Sequence, residues 1–170
     1  MRPRIFITQP VAQSAIARLQ KVADVKWNPD PVHIITKDEL IAAVKECDIL
    51  FCLLHDHVPR EVIEANPKLK AIASMTITPA DIDIAAATEH KIPVTTIPAL
   101  LLDDATADIA WALLLSVVRR TTEGDRLIRT GVFPGSQSSY LEGGAITGKT
   151  LGIIGMGGIG HAMASRARGF

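Results

Sequence analysis

The sequence contains few of the residues that mark several common classes of protein. Only two of its 170 residues are cysteines, Cys47 and Cys52, which favours a reduced interior over a disulfide scaffold. Its eighteen basic and eighteen acidic side chains cancel and form no basic stripe, so we expect no nucleic-acid partner. The longest apolar run, residues 109–118, is too short to span a bilayer. The N-terminus has no signal-peptide apolar region, so we expect no membrane partner and a cytoplasmic location.

Strand patterns alternate with helix patterns up to residue 96, in a sequence whose apolar fraction of 48% is ample for a core. The strand patterns cover residues 4–8, 22–27, 48–53, 70–74 and 92–96. Helix patterns follow from residues 12, 36, 60 and 81, the second opened by the capping box Thr36-Lys37-Asp38-Glu39. Five strands separated by helices predict an α/β fold, with a doubly wound parallel sheet of the flavodoxin-like type.

A long apolar helix follows this region. Asp103-Asp104 is the expected cap of a helix over residues 105–120, whose apolar residues lie on nearly every side. Such a helix packs against more than one surface, and we predict a homodimer through it. A second helix over residues 122–130 and a Gly/Ser/Pro-rich loop over 131–148 come next.

The last twenty residues are typical of the start of a Rossmann dinucleotide-binding domain. An apolar strand over residues 151–154 leads into Gly155-Met156-Gly157-Gly158-Ile159-Gly160 and a helix, the G-x-G-x-x-G pattern. Gly155 permits the tight turn, Gly157 lets a pyrophosphate approach, and Gly160 lets the helix pack closely. The expected cofactor is NAD or NADP. The residue that separates the two lies about 20 residues further on, past Phe170.

Together these segments resemble the D-isomer-specific 2-hydroxyacid dehydrogenases, with the greatest similarity to the glyoxylate/hydroxypyruvate reductase and phosphite dehydrogenase branches. The resemblance rests on four stretches of sequence. They are Ile92-Pro93-Val94-Thr95, residues 104–110, Arg119-Arg120, and residues 148–157. It implies a substrate domain over residues 1–99 that lacks its C-terminal return segment. It also implies an interdomain helix and a truncated NAD(P)-binding domain over residues 100–170.

The resemblance also implies roles for particular residues. The cofactor would contact Gly155, Gly157, Gly158, Ile159 and Gly160, with Thr106 close to the nicotinamide. Backbone amides of Ile77 and Thr78 would hold the carboxylate of a small 2-oxo or 2-hydroxy acid. Apart from the resemblance, His55 lies at the end of a strand of an open sheet, where ligands collect, so it is a candidate to line the substrate cleft. The family's catalytic Arg, Glu and His come from segments beyond Phe170. We therefore expect no catalytic residue within residues 1–170 and no activity from this chain alone.

One loop departs from the family pattern. Where the family has a glycine and then an aspartate, this chain has Thr78 and Ala80. Thr78-Pro79-Ala80-Asp81 instead predicts a helix start, with Thr78 as the N-cap and Pro79 at the first helical position.

Other motifs suggest different chemistry. Residues 143–150 fit the P-loop pattern, but they precede a strand rather than open a helix, which argues against a nucleoside-triphosphate site. The two histidines of His55-Asp56-His57 are at most half of the ligands that a zinc ion needs, so we expect a solvated loop there and no metal.

The sequence thus favours an oxidoreductase that transfers a hydride between a nicotinamide and a 2-oxo acid. The alternative is a non-catalytic binding or assembly protein on the same fold.

Overall fold

The computed structural model describes residues 2–79 and 81–170. The chain divides into two compact units, Met1–Ile97 and Pro98–Phe170. The elements of the first unit are β1 (Arg4–Ile7), α1 (Gln13–Leu19), β2 (Asp24–Trp27), α2 (Lys37–Glu46), β3 (Ile49–Cys52), α3 (Arg60–Glu64), β4 (Ala71–Ser74), α4 (Ile84–Glu89) and β5 (Val94–Thr95). Those of the second unit are α5 (Leu100–Val118), α6 (Thr121–Arg129) and α7 (Gly158–Ala167).

The first unit is built on a five-stranded parallel sheet in the order β2-β1-β3-β4-β5. Alternate side chains of a strand point to opposite faces. Ile5 and Ile7 therefore pack with Ile16 of α1, whereas Leu50 and Ile72 pack on the other face within a core formed with α2, α3 and α4. This is the flavodoxin-like α/β fold that the sequence predicts, and the prediction is confirmed.

Helix α2 begins at the predicted capping box. The Thr36 side chain accepts a hydrogen bond from the Glu39 amide, and the Glu39 carboxylate accepts one from the Thr36 amide at 2.8 Å. That backbone hydrogen bond is the main reason why the pKa of Glu39 falls to about 2. The apolar pattern of this helix predicts that Leu40, Ile41 and Val44 are buried; Leu40 and Val44 lie in the core, and Ile41 is partly buried against it.

The predicted start of helix α4 is wrong. The helix begins at Ile84, and its N-cap is Asp83, whose carboxylate accepts from the Ala86 amide at 2.8 Å. The segment before it is bonded to Val58, whose amide donates to the Asp81 carbonyl and whose carbonyl accepts from the Asp83 amide. A parallel bridge therefore occupies the residues expected to form the first helical turn. Ala80, part of the predicted start, lies outside the described residues.

Helix α5 also begins earlier than expected. The predicted cap, Asp103-Asp104, lies inside the helix, which starts at Leu100 with Ala99 as its N-cap. The Leu101 amide donates to the Pro98 carbonyl at 3.1 Å, so a turn that opens at Pro98 continues directly into the helix. The expected strand over residues 151–154 is likewise not a strand in the structure. A parallel strand requires a hydrogen-bonded neighbour, and the described part of the second unit contains no strand to pair with it.

No helix in the part of the chain that the structure describes combines the length and the apolarity needed to cross a membrane.

Candidate functional site

The glycine-rich turn before helix α7 has backbone geometry that glycine alone adopts readily. Gly155 has a φ of +92°, a conformation that side chains with a Cβ disfavour. Gly157 is the N-cap of α7 in extended conformation, and a Cβ built there would meet nothing within 4 Å. The main chain at Gly157 therefore faces open space, and a ligand can approach it closely.

Gly160 holds the helix against the turn that precedes it. A Cβ at this buried position would lie 2.2 Å from the Gly155 carbonyl oxygen, a distance that no real Cβ adopts. The neighbouring atom is backbone, so a larger residue would force α7 away from the turn.

The amides at the start of α7 have the arrangement by which helix N-termini bind anions. The first hydrogen bond of the helix runs from the His161 amide to the Gly157 carbonyl at 2.9 Å. The amides of the preceding residues, Gly158, Ile159 and Gly160, belong to the first turn, where N–H groups have no partner within the helix. Such groups, together with the helix dipole, bind phosphate.

Helix α5 packs against α7 through polar and aromatic contacts. Arg166 of α7 donates to Asp108 at 2.7 Å and to Asp104 at 3.1 Å, and the hydrogen bond with Asp108 is the main reason why the Arg166 pKa is raised. The Trp111 indole donates to the Met163 carbonyl at 3.2 Å. These contacts fix α5 beside the glycine turn, with the exposed Thr106 one turn after Asp103 on the same helix.

In the first unit, polar groups gather at the carboxyl ends of β1, β3 and β4. Asp56 is only 2% exposed, and its Oδ2 accepts from the Thr8 hydroxyl and from the Leu53 amide at 2.6 Å. Its Oδ1 has no hydrogen-bond partner among the described residues. His55 and His57, on either side, are exposed. The expectation of a solvated loop is therefore wrong for Asp56, because its partner Thr8 is 48 residues away and no local pattern reveals that contact.

The loop after β4 carries the residues expected to hold a substrate. Ile77 and Thr78 are exposed, and the Thr76 hydroxyl donates to the Thr78 carbonyl at 2.7 Å. Thr76, Thr78 and Asp56 line a cavity of about 40 Å³ whose described lining does not include His55. Cys52 also lines the cavity, and burial raises its pKa to about 11.

Two other sequence motifs form no site in the structure. Residues 143–150 do not open a helix, since α7 begins only at Gly158, so the P-loop interpretation fails. Across residues 2–79 and 81–170, no group of three His, Cys, Asp or Glu side chains is placed to hold a metal ion.

Comparison with known proteins identifies the family. Residues 5–164 match the family model of the D-isomer specific 2-hydroxyacid dehydrogenase, catalytic domain. The glyoxylate reductase of Thermococcus litoralis is 40% identical over 174 residues, covering 100% of this chain and 52% of that enzyme. That of Pyrococcus horikoshii is 38% identical over 175 residues, with coverage of 100% and 52%.

Solved structures agree with this assignment. A Polaromonas sp. JS6 66 protein, assigned to the same family as an NAD-binding member, superposes with a TM-score of 0.94 at 35% identity. The match covers 99% of this chain and 53% of that protein. The chain therefore belongs to the D-isomer specific 2-hydroxyacid dehydrogenase family, as the sequence resemblance implies. It spans about half the length of the curated relatives that it matches.

Proposed function

We propose that this chain is the part of an NAD(P)-dependent oxidoreductase that holds the cofactor pyrophosphate and one side of a 2-oxo acid. The observation that carries the proposal is the glycine turn, in which a Cβ at Gly157 would meet nothing within 4 Å, Gly160 abuts the Gly155 carbonyl, and the first-turn amides of α7 have no partner within the helix. Bound NAD(P)H would supply the hydride. Gly158 and Ile159 would present their amides to the pyrophosphate, and Thr106 would lie towards the nicotinamide.

The proposed substrate is a small 2-oxo acid of the glyoxylate class, because the similar relatives are named glyoxylate reductases. The amides of Ile77 and Thr78, two exposed residues, would bind its carboxylate, and His55, three residues after the end of β3, would line the substrate cleft. The Thr76–Thr78 hydrogen bond restrains this loop, so its amides are pre-arranged rather than free to adapt. The group that moves the proton and the arginine that orients the acid are expected beyond Phe170.

A non-catalytic binding or assembly protein is the second candidate. It is favoured by an exposed apolar stripe on α5, formed by Ile109, Leu113 and Val117. The two candidates differ in whether the chain binds a dinucleotide.

Three Gly→Ala variants test the proposed function by separating binding from folding. Gly157→Ala places a methyl group in open space, so we expect unchanged thermal stability and NADH affinity weaker by about tenfold, equal to ~1.4 kcal/mol. Gly160→Ala collides with backbone and should lose about 1–3 kcal/mol of stability. Gly124→Ala, on α6 with nothing within 4 Å, is the matched control and should bind NADH like the unaltered chain.

NADH fluorescence titration and thermal melts are the measurements. If Gly157→Ala and Gly124→Ala bind NADH equally, the pyrophosphate is not held at this turn. Absence of NADH binding by every variant and by the unaltered chain would favour the assembly protein. Turnover of glyoxylate or hydroxypyruvate by purified residues 1–170 is not expected, and its detection would show that the catalytic groups lie within this chain.

A further inference from the structure

The carboxyl group of Asp103 occupies the space beside Gly158, the first residue of α7. A Cβ at Gly158 would lie 1.9 Å from Oδ2, 2.4 Å from Cγ and 2.7 Å from Oδ1 of Asp103. All three atoms of the carboxyl group thus fill the volume that any other residue at position 158 would need. Asp103 is also only partly exposed to solvent.

Asp103 differs from the neighbouring acids of α5 in its partners. Asp104 and Asp108 both pair with Arg166. Asp103 has neither an ion pair nor a side-chain hydrogen bond with any residue that the structure describes. Its negative charge therefore has no cationic side-chain partner among the described residues, and it lies at the positive end of α7, where anions are stabilised. A dinucleotide pyrophosphate, itself negative, would bind at that same end.

We propose that Asp103 limits the affinity of this site for dinucleotides. Its carboxylate is a negative charge already present at the start of α7. When the pyrophosphate binds, the carboxylate must either move away or remain and repel it. Gly158 allows this arrangement, because a residue with a Cβ at that position would occupy the space in which the Asp103 carboxylate lies. This inference rests on the proposed function, and it assigns to the same site a residue that sets how tightly the cofactor is held.

Asp103→Asn removes the charge while keeping the size of the side chain. We expect NADH and inorganic pyrophosphate to bind about fivefold more tightly, in keeping with the strength of charges at helix ends. The gain should shrink as salt is raised, because solvent ions screen the repulsion. Asp104→Asn, one residue along the same helix, removes an acid that pairs with Arg166 and should leave both affinities unchanged within about twofold.

Gly158→Ala provides an independent test of the pairing. Its Cβ would push the flexible carboxylate away from the helix end, so it should tighten pyrophosphate binding in the unaltered background. In the Asp103→Asn background there is no charge to displace, so the same substitution should no longer tighten binding, and any remaining effect comes from the added methyl group alone. The two effects should therefore be non-additive in a double-mutant cycle.

Isothermal titration with NADH and with inorganic pyrophosphate, and ligand-free thermal melts, separate the outcomes. Equal affinities of the unaltered chain and Asp103→Asn, with binding still weakened by Gly157→Ala, would overturn this inference and leave the proposed function intact. A lower melting temperature of Asp103→Asn with unchanged affinity would make Asp103 a purely structural residue and also overturn the inference. No binding of either probe by any variant would overturn both the inference and the proposed function.

Discussion

Single residues decide where the helices of this chain begin. Helix α4 depends on Asp83, whose carboxylate accepts from the Ala86 amide, and not on Thr78, which lies six residues before the helix. Asp83→Ala should therefore lower the free energy of unfolding by about 1 kcal/mol, the usual effect of losing a cap. Thr78→Ala should leave it nearly unchanged, and Asp83→Asn should keep most of the capping.

Urea denaturation followed by circular dichroism measures these differences. A loss of stability on Thr78→Ala equal to that of Asp83→Ala would mean that the helix starts at the loop after all. Asp83→Asn also controls for charge, because Asp83 lies 4.0 Å from Arg60 and Asn keeps only the hydrogen-bonding oxygen.

The glycines of the turn show what a motif can predict at this scale. The positive φ of Gly155 and the tight contact of Gly160 follow from the spacing alone, because both are properties of a short stretch of backbone. The contacts of Asp103 and Asp56 could not be predicted from such a motif. Each acts through a residue far along the chain, Gly158 for the first and Thr8 for the second.

At the scale of elements, local sequence patterns predict most of the helices and strands that form. The capping box predicts the first residue of α2 correctly, because both of its hydrogen bonds lie within four residues of sequence. The apolar runs place β1, β3 and β4 to within two residues of the predicted ends. Helix α4 begins elsewhere because the bridge between Val58 and Ile82 is a long-range contact that a helix pattern does not contain. Helix α5 begins earlier because the turn opened by Pro98 continues directly into it.

Helix α5 is the element whose surface has the largest consequence for assembly. Within its own unit it buries Ala107 and Trp111, while Ile109, Leu113 and Val117 remain exposed at four-residue spacing. Four-residue spacing places these three side chains in one row, so the exposed apolar surface is continuous rather than scattered. We therefore expect this surface to be an interaction site.

At the scale of the whole molecule, we predict that the chain self-associates through this stripe. Ile109→Lys places a charge at the N-terminal end of the stripe and should convert a dimer into a monomer at micromolar concentration, as measured by analytical ultracentrifugation. Ile128→Lys is the matched control, since Ile128 of α6 is 60% exposed and Ile109 is 57% exposed. A monomeric unaltered chain, or equal dissociation by both variants, would contradict assembly through α5.

The segment before the glycine turn should differ from the sheet of the first unit in how well its backbone amides are protected from exchange. Residues 151–154 have strand-like composition, yet Ile154 is fully exposed and no strand in the described second unit lies beside them. Exchange of backbone amides with deuterium requires that their hydrogen bonds open. The amides of residues 151–154 should therefore take up deuterium almost as fast as a free peptide, whereas those of β3 and β4 should remain protected far longer. Mass spectrometry of peptic fragments would measure both, and slow uptake at 151–154 would indicate a strand supplied by a second molecule.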